Sequence, residues 1–423
     1  TGRYDTVKYD QYGEYPFLSP TLLYTSDSVN LQLLRNSVPF SAFAQTRNQQ
    51  AAGNGLQSVG VANPVVQAVV QLSGAGEIHG ALDALSGEIH ASARTVLIQD
   101  SLYVRQAVVD RLAGALCDGG FAGTGQRVVQ VRHDRVVDEG ECVPGRAALW
   151  GEAYGGFGSN GGDGNAAGLH HSTAGFVIGV DTPLGADGRW RMGGLLSYGR
   201  SMMEGDTHSS SGQSNNVTLG GYGGTHWGRW NLRLGASYTW NKLSLNRTVA
   251  FPGFGNTLSS HYNGGTAQGF GELGYRLRMR GAMLEPFGNV AYVSQRTGHF
   301  TEHGGAAALV GEATQTGVTF ATFGLRASST FHAYGARLTP HATLGYRHAC
   351  GLTTATTHER FAAGSQTYDM DVAGIALSRD TAVVDAGVAV KLTDRIDVGL
   401  SYMGQYGGLF TSSGAHGRVT FRF

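Results

Sequence analysis

Three residues in the sequence match a known zinc-binding pattern. His299, Glu302 and His303 form HxxEH, which binds zinc when both histidines share one face of a helix. Here the pattern stands directly before Gly304 and Gly305, and paired glycines predict a polar loop rather than a helix. We therefore expect no metal site at this position.

A second motif has the spacing of a dinucleotide-binding turn. Gly156, Gly158 and Gly161 form GxGxxG, but a phosphate site of that kind needs a helix directly afterwards. The residues that follow are GDGNAAG, which indicate a glycine-rich loop. No GxSxG segment occurs either. The sequence therefore predicts no catalytic residue, no metal ligand and no cofactor.

The composition excludes several classes of protein. Charged residues make up 15% of the 423 residues and the formal net charge is +0, so no overall field would attract nucleic acid. No run of about 20 apolar residues occurs, which excludes membrane helices but not strands of alternating polarity. The opening TGRYDTVKYD lacks the features of a signal peptide, so an exported protein would have lost one upstream.

The cysteines are too few for a disulfide scaffold. They are Cys117, Cys142 and Cys350, and none has the CxxC spacing of a zinc site. Cys117 and Cys142 would pair in an oxidising periplasm. Three unpaired thiols are the alternative.

From about residue 145 onward, apolar and polar side chains alternate. Between 229 and 241, for example, Trp230, Leu234 and Trp240 share one apolar face, whereas Arg229 and Arg233 lie on the other. About twelve such segments predict twelve strands, an even number as in single-chain bacterial outer-membrane barrels. The predicted strands lie near 147–157, 172–182, 188–204, 214–227, 229–245, 264–280, 282–296, 314–330, 335–350, 379–391, 395–406 and 416–423.

The connections between these strands alternate between long and short, as in outer-membrane barrels with long outer loops and short periplasmic turns. Long connections are predicted near 158–171, 205–213, 246–263, 297–313, 351–378 and 407–415. An apolar interior of this size would enclose more space than side chains could fill, so the apolar face meets lipid and the charged face lines a wet lumen. The predicted lumen lining includes Arg233, Glu272, Arg276, Arg278, Arg337 and Arg347.

Upstream of the barrel, residues 82–113 are rich in helix-forming residues and contain no proline. A helix of this length would span roughly 45 Å, enough to thread a bilayer. Its charges forbid lipid contact on all sides, so we expect it inside the polar pore. These charges are Asp83, Glu88, Arg94, Asp100, Arg105 and Asp110. Either the carboxylates pair with the lumenal arginines, or the lining is hydrated without fixed pairs.

Three stretches resemble the bacterial autotransporters, the type V secretion family. SPTLLYTSDSVNLQLLRN resembles the end of an autotransporter passenger, where the last β-helix rungs form the autochaperone. LDALSGEIHAS resembles the helix before the barrel, in a form most like that of the subtilisin-like autotransporters. The C-terminal VTFRF resembles the final strand that the barrel-assembly machinery recognises.

The resemblance implies an all-β membrane protein: a 12-stranded antiparallel transmembrane β-barrel with an N-terminal α-helix threading the pore, preceded by a short β-rich passenger or autochaperone remnant. The implied regions are 1–46 as the passenger end, 47–81 as a Gly-, Asn- and Gln-rich linker, 82–116 as the pore helix, 117–145 as a periplasmic connector and 146–423 as the barrel. Val419, Phe421 and Phe423 are the implied assembly signal.

The implied function is export. The barrel would deliver its own N-terminal passenger to the cell surface and anchor it in the outer membrane, and the helix would then seal the pore. The implied partners are the passenger, the barrel-assembly machinery, periplasmic chaperones and outer-membrane lipid, with no nucleic acid, and the barrel would act as a monomer.

Two other function classes stay open. The first is an outer-membrane diffusion pore or adhesin barrel with an internal plug. The second is a self-cleaving barrel or a protease, which the sequence disfavours. The helix region lacks the Asn-Asn pair of self-cleaving members, and no GTSMA-like segment of a subtilase occurs, so any protease activity would lie in an upstream passenger.

Overall fold

The N-terminal part of the chain is mainly helical. The computed structural model describes residues 3–4, 15–115, 130–132, 135–137, 146–185, 189–206, 210–279, 282–333, 336–367, 369–393 and 395–423. It begins with an antiparallel hairpin of β1 (Leu18–Tyr24) and β2 (Val29–Arg35), followed by a 3-10 helix (Phe40–Phe43). Four α-helices come next: α1 (Arg47–Gln57), α2 (Pro64–Val69), α3 (Ala75–Leu85) and α4 (Ile89–Ala115). Among the described residues, no helix combines the length and apolar character needed to cross a membrane.

The C-terminal part consists of strands, preceded by the small hairpin of β3 (Gln130–Arg132) and β4 (Arg135–Val137). In chain order the strands are β5 (Ala148–Asn160), β6 (Leu169–Leu184), β7 (Trp190–Gly205), β8 (Ser211–Trp227), β9 (Trp230–Phe251), β10 (Phe254–Tyr275), β11 (Leu277–Met279), β12 (Ala282–Thr297), β13 (Phe300–Thr301), β14 (Leu309–Gly311), β15 (Thr314–Ser328), β16 (Phe331–Ala333), β17 (Ala336–Gly351), β18 (Thr356–Phe361), β19 (Met370–Ala373), β20 (Asp380–Lys391), β21 (Ile396–Gly407) and β22 (Phe410–Arg422).

Twelve of these strands form a closed antiparallel barrel. They are β5–β10, β12, β15, β17 and β20–β22, and the ring closes because β22 pairs with β5 and β10 pairs with β12. The short strands β11 and β16 add to β12 and β17. Closure leaves no unpaired strand edge, which is the condition for a sheet that crosses lipid. The twelve-stranded barrel predicted from the alternation is confirmed.

The two faces of the barrel wall differ as the alternation predicts. On β9, Trp230, Tyr238 and Trp240 are exposed on the outside, whereas Asn231 and Arg233 are buried towards the lumen. We call the end of the barrel that contains the Gly228 turn the turn end. The opposite end, where β9 reaches Phe251, is the loop end.

The predicted helix 82–113 is two helices. Leu82 to Leu85 close α3, and the long helix α4 starts only at Ile89. The break lies at Gly87, which has a φ of 76°. A Cβ there would come within 2.4 Å of Leu309 Cδ1, so the tight joint requires glycine.

Residues 47–81 are helical and not an extended linker. The Thr46 side chain caps α1 by accepting a hydrogen bond from Gln49 N at 3.1 Å. Asn63 caps α2 in the same way, with Pro64 in the first turn. Helices α1–α3 and the 3-10 helix form a compact cap on the loop end, with Leu56 and the neighbouring apolar residues of the helices in one core.

Two strands of the barrel wall extend beyond the others at the loop end and pack against this cap. The predicted loop 246–263 is instead the top of a long hairpin, because β9 and β10 continue to a turn at Gly253. Its inward side chains Leu245, Val249 and Leu258 pack in the same core as the cap helices. Strands β13, β14, β18 and β19 form a separate four-stranded sheet beside it.

Candidate functional site

Helix α4 occupies the lumen of the barrel. Its side chains bond to wall residues on β5, β6, β10, β12 and β15, which surround it on different sides. With 27 residues the helix is roughly 40 Å long, so it runs from the cap to the turn end. The predicted placement of a helix in the pore therefore agrees with the structure, from Ile89 onward.

Two charged side chains anchor the half of α4 near the loop end. The Arg94 guanidinium is fully buried and donates to Gln295 Oε1 at 2.8 Å and to Thr316 Oγ1 at 2.6 Å. The Asp100 carboxylate accepts from the hydroxyls of Thr173 at 2.8 Å and Ser201 at 2.5 Å. Each charge therefore meets a complementary wall group rather than open water.

At the turn end, α4 is held by an ion-pair cluster. Arg111 donates through Nε and Nη2 to the two Asp181 oxygens, both at 2.7 Å. Asp181 also pairs with Arg191 and accepts from the Tyr222 hydroxyl at 2.9 Å. Trp150 Nε1 donates in turn to the Tyr222 oxygen at 2.6 Å. This cluster is not among the residues predicted from the sequence, although Asp181 and Arg191 stand at inward positions of the alternating pattern.

The same half of the helix also packs on an apolar patch of the wall. Val104, Val108 and Leu112 belong to one buried cluster with Leu195 and Phe270 of the lumenal face. The strand pattern predicts a polar lumen, but the structure shows that part of the lumenal face is apolar. Burial of apolar area there favours contact between the helix and the wall.

The predicted lumenal arginines pair mainly within the wall. Arg233 binds Glu272 at 2.6 Å and Glu285 at 2.8 Å, and Arg276 binds Glu285 at 3.1 Å. Arg326 completes the buried cluster with a 2.6 Å contact to Glu272. Fixed pairs therefore exist, but their carboxylates belong to strands and not to the helix.

The remaining predicted lumen residues have separate environments. Arg347 is buried and donates to Gln405 at 2.6 Å. Arg337 is half-buried, and Arg278 is exposed near the turn end. Arg105, on the helix, donates to Gln268 Oε1 at 2.9 Å.

The acidic residues of the predicted helix do not act as one set. Asp83 lies in α3, where it accepts from Gln49 Nε2 at 2.9 Å. Glu88 lies at the α3–α4 joint and accepts from Ala167 N at 3.0 Å. Asp110 lies further along α4, where its Oδ2 is 3.7 Å from Nη2 of the lumenal Arg418. The break at the joint places the first two in the cap, outside the lumen.

The joint between cap and pore contains a buried polar cluster around Glu302. His90 Nε2 lies 3.0 Å from Glu302 Oε1, and Arg247 Nη2 lies 2.6 Å from Oε2. Burial alone would raise the pKa of Glu302, but Arg247 and His90 hold that pKa below its ordinary value. The HxxEH motif thus contains a structural carboxylate, while its two histidines are exposed.

A second buried carboxylate, Glu359, lies on β18 of the four-stranded sheet beside the cap, close to Gly87. Burial and the charge of Glu302 together raise the pKa of Glu359 to about 8, against the opposing effects of the Thr357 hydroxyl and Arg247. In the part of the chain that the structure describes, no group of three or more His, Cys, Asp or Glu residues is placed to hold a metal ion.

The residues of the implied assembly signal lie at the end of the last barrel strand. Val419 and Phe423 are exposed on the outside, and the rings of Phe421 and Phe423 lie 5.1 Å apart. Cys117 and Cys142 lie outside the described residues, so their predicted pairing is not tested. Cys350 is exposed and free.

Comparison with known proteins gives consistent matches. A family model described as Autotransporter beta-domain matches residues 149–403. Two proteins of Serratia marcescens, both named "Extracellular serine protease", align over 464 residues at 28% and 27% identity and cover 100% of this chain. The chain spans 42% of the length of these curated relatives.

A solved structure shares the fold. The translocator domain of the autotransporter NalP from Neisseria meningitidis matches with a TM-score of 0.59 at 15% identity, covering 79% of this chain and 99% of that one. Barrels of this type lie in the bacterial outer membrane with the long loops outside. The family model covers more than half of this chain, and the closed barrel agrees with it, so the chain belongs to the autotransporter family as an outer-membrane translocator.

Proposed function

We propose that this chain exports an N-terminal passenger through the outer membrane, anchors it at the surface, and is then sealed by α4 and the cap. One observation carries the proposal. The N-terminal segments lie at the loop end, yet β5 starts at the turn end, and α4 connects the two through the lumen. A chain that has passed outward through its own barrel would be left in this arrangement.

Sealing follows from the way the lumen is filled. Polar anchors at Arg94 and Asp100, the Arg111–Asp181 pair and the apolar patch around Phe270 fix α4 along its length. The cap covers the loop end above it. These contacts favour a closed translocator over an open diffusion pore.

The proposed cargo is a protease. Both Serratia marcescens relatives are named extracellular serine proteases, and this chain spans less than half of their length. In this proposal the hydrolytic residues belong to the passenger, and the described barrel contributes transport and anchoring.

The β1–β2 hairpin is the proposed folding platform for that passenger. Its two strands pair antiparallel, whereas the rungs of a β-helix pair parallel, so it would cap the passenger rather than extend it. Leu23, Leu31 and Leu33 are exposed there and give an apolar surface for docking. Val419, Phe421 and Phe423 are the proposed contact with the assembly machinery, and periplasmic chaperones would deliver the chain to it.

Epitope labelling of intact cells tests the orientation and the export together. One epitope is inserted before Tyr15, and a matched control epitope is inserted in the turn at Gly228. We expect antibody to reach the first in intact cells and the second only after the outer membrane is opened. Labelling of the turn but not of the N-terminal epitope would contradict the proposed function.

A further inference from the structure

A row of basic and amide side chains crosses the outer face of the barrel near the loop end. Arg200 stands opposite Asn215, Asn215 opposite Lys242, and Lys242 opposite Asn263, so four neighbouring strands contribute one residue each. Arg296 lies on the next strand, opposite Gly265. We call these five contributing residues, Arg200, Asn215, Lys242, Asn263 and Arg296, the basic row.

The basic row lies directly above aromatic residues of the lipid-facing surface. Tyr198 stands two residues before Arg200, and Trp240 two residues before Lys242, on the same face of their strands. Both rings are exposed, with 52% of Trp240 accessible. Aromatic residues at the outer surface of a barrel mark the membrane–water boundary. The basic row is therefore at the level of the outer-leaflet headgroups.

The cations of this row are available for a ligand. Arg200, Lys242 and Arg296 are all exposed, and Arg200 donates a hydrogen bond to the neutral side chain of Gln213. In the part of the barrel that the structure describes, no acidic side chain pairs with Lys242 or Arg296. From strand spacing and residue rise, the backbones of Arg200 and Lys242 lie about 10 Å apart and those of Lys242 and Arg296 about 12 Å apart. Such spacing suits several phosphate groups rather than one isolated anion.

A groove of about 860 Å³ opens on the outer face next to the row, on its loop-end side. Its lining includes Met202, Gln213, Ser244 and Asn246, on the strands that also carry Arg200, Asn215 and Lys242. The exposed carboxylate of Glu204 also lines the groove, where it can accept hydrogen bonds from sugar hydroxyls. Amide and hydroxyl groups beside a cation match the hydroxyls of a sugar that carries phosphate.

The opposite side of the barrel lacks this chemistry. There the outward residues near the loop end include Tyr346, His348 and Asp380, and both the Tyr346 hydroxyl and the His348 ring bond to the Asp380 carboxylate. An exposed carboxylate repels phosphate, and here it bonds directly to the outward Tyr346 and His348 side chains. On the side of the basic row the exposed carboxylate, Glu204, lies four residues beyond Arg200, in the groove that would take the sugar. The basic row is thus a feature of one side and not of the whole circumference.

We propose that the basic row and its groove bind the phosphorylated sugar headgroup of a glycolipid in the outer leaflet. Arginine and lysine would contact the phosphates while the groove takes the sugar, and the acyl chains would lie along the aromatic face below. The inference rests on the outer-membrane assignment of the barrel. Its test measures binding directly, so it can fail while export is intact.

The test is equilibrium binding to the refolded full chain in detergent micelles. The probe is a fluorescent glucosamine-based lipid with two phosphates, compared with the same lipid after enzymatic removal of both. The variant is R200Q/K242Q/R296Q. The matched control, R229Q/R379Q/R395Q, removes three exposed arginines elsewhere and so the same net charge. Heat-modifiable migration on gels checks that each barrel is folded.

We expect the triple variant to bind the phosphorylated lipid about tenfold or more weakly, the control to keep wild-type affinity, and K242Q alone to give an intermediate loss. The dephosphorylated lipid should bind the wild type and the triple variant equally. Equal affinity of the triple variant and the wild type for the phosphorylated lipid would overturn the proposal, as would an equal loss in the control. Complete displacement by millimolar inorganic phosphate would also overturn it, because the site would then recognise a free anion.

Discussion

Replacing Asp181 by asparagine should release the turn-end half of α4 from the barrel wall. Asp181 accepts both hydrogen bonds of Arg111 and also pairs with Arg191, and all three side chains are buried. The substitution would leave two buried guanidinium groups facing a neutral amide. Breaking a buried pair of this kind costs about 3–5 kcal/mol.

The effect should be local. Arg94 and Asp100 keep their own partners, so the half of α4 near the loop end stays bound. A loss of about 3–5 kcal/mol raises the open population of residues 104–115 by roughly 10²- to 4 × 10³-fold. Hydrogen–deuterium exchange of the refolded barrel measures this directly, by comparing peptides from 104–115 with peptides from 89–98.

Glu272→Gln is the matched control, because Glu272 pairs with the wall residues Arg233, Arg326 and Asn289. It removes one buried lumenal carboxylate without removing a partner of the helix. Adding Arg111→Met to Asp181→Asn should restore part of the protection, since one of the stranded cations is gone. If Asp181→Asn leaves exchange of 104–115 unchanged, the ion pair does not hold the helix.

Three further predictions concern the cap, the C terminus and the hairpin. The pKa of Glu359 is about 8 in the folded protein, against an ordinary value of 4.5. As the pH rises from 4.5 to 8, the unfolded state loses this proton while the folded state keeps it. The folded cap is therefore destabilised over this pH range, by roughly 5 kcal/mol at most. Protease cleavage at the α3–α4 joint should therefore increase from pH 4.5 to 8 in the wild type and stay constant in Glu359→Gln; the same rise in both would refute the cause. Deleting Phe423 should lower the yield of heat-modifiable barrel in the outer membrane, whereas Thr420→Ala on the lumenal face should not. Removing residues 15–43 should leave the barrel assembled but the displayed passenger protease-sensitive, and a failure of barrel assembly would count against the platform.

The strands could be predicted because each barrel residue has one of two environments. Lipid on one side and the lumen on the other impose a period of two, which the sequence between 229 and 241 repeats without error. The long hairpin above the membrane escaped this argument. Its residues 246–263 are polar enough to suggest a loop, and only contact with the cap core explains their strand geometry.

The composition of 47–81 and its local helix signals point to different structures. The glycines, asparagines and glutamines of 47–81 suggested a linker, yet Thr46 and Asn63–Pro64 are recognisable helix starts. The glycine of LSGEIHAS is likewise a helix stop that the sequence displays. Local capping residues therefore mark both helix boundaries in the sequence.

The pairing of the lumenal charges depends on closure and register. Arg233 and Glu272 face each other across β9 and β10, which follows once the hairpin register is known. Glu285 and Arg326 join them from the next two strands, β12 and β15, and that arrangement exists only in the closed ring. A linear sequence predicts that buried charges need partners but not which strand supplies them.

The central claim is that α4 and its cap close a barrel that is otherwise open, and single-channel conductance tests it most directly. The refolded chain is compared with a variant lacking 47–115, and a variant lacking 18–35 serves as the control with an intact plug. A twelve-stranded barrel has an interior between filled eight-stranded barrels and open sixteen-stranded porins, so the emptied lumen should conduct. We predict a closed wild type, a closed control and a large, stable conductance after removal of 47–115. Equal conductance with and without 47–115 would contradict the account.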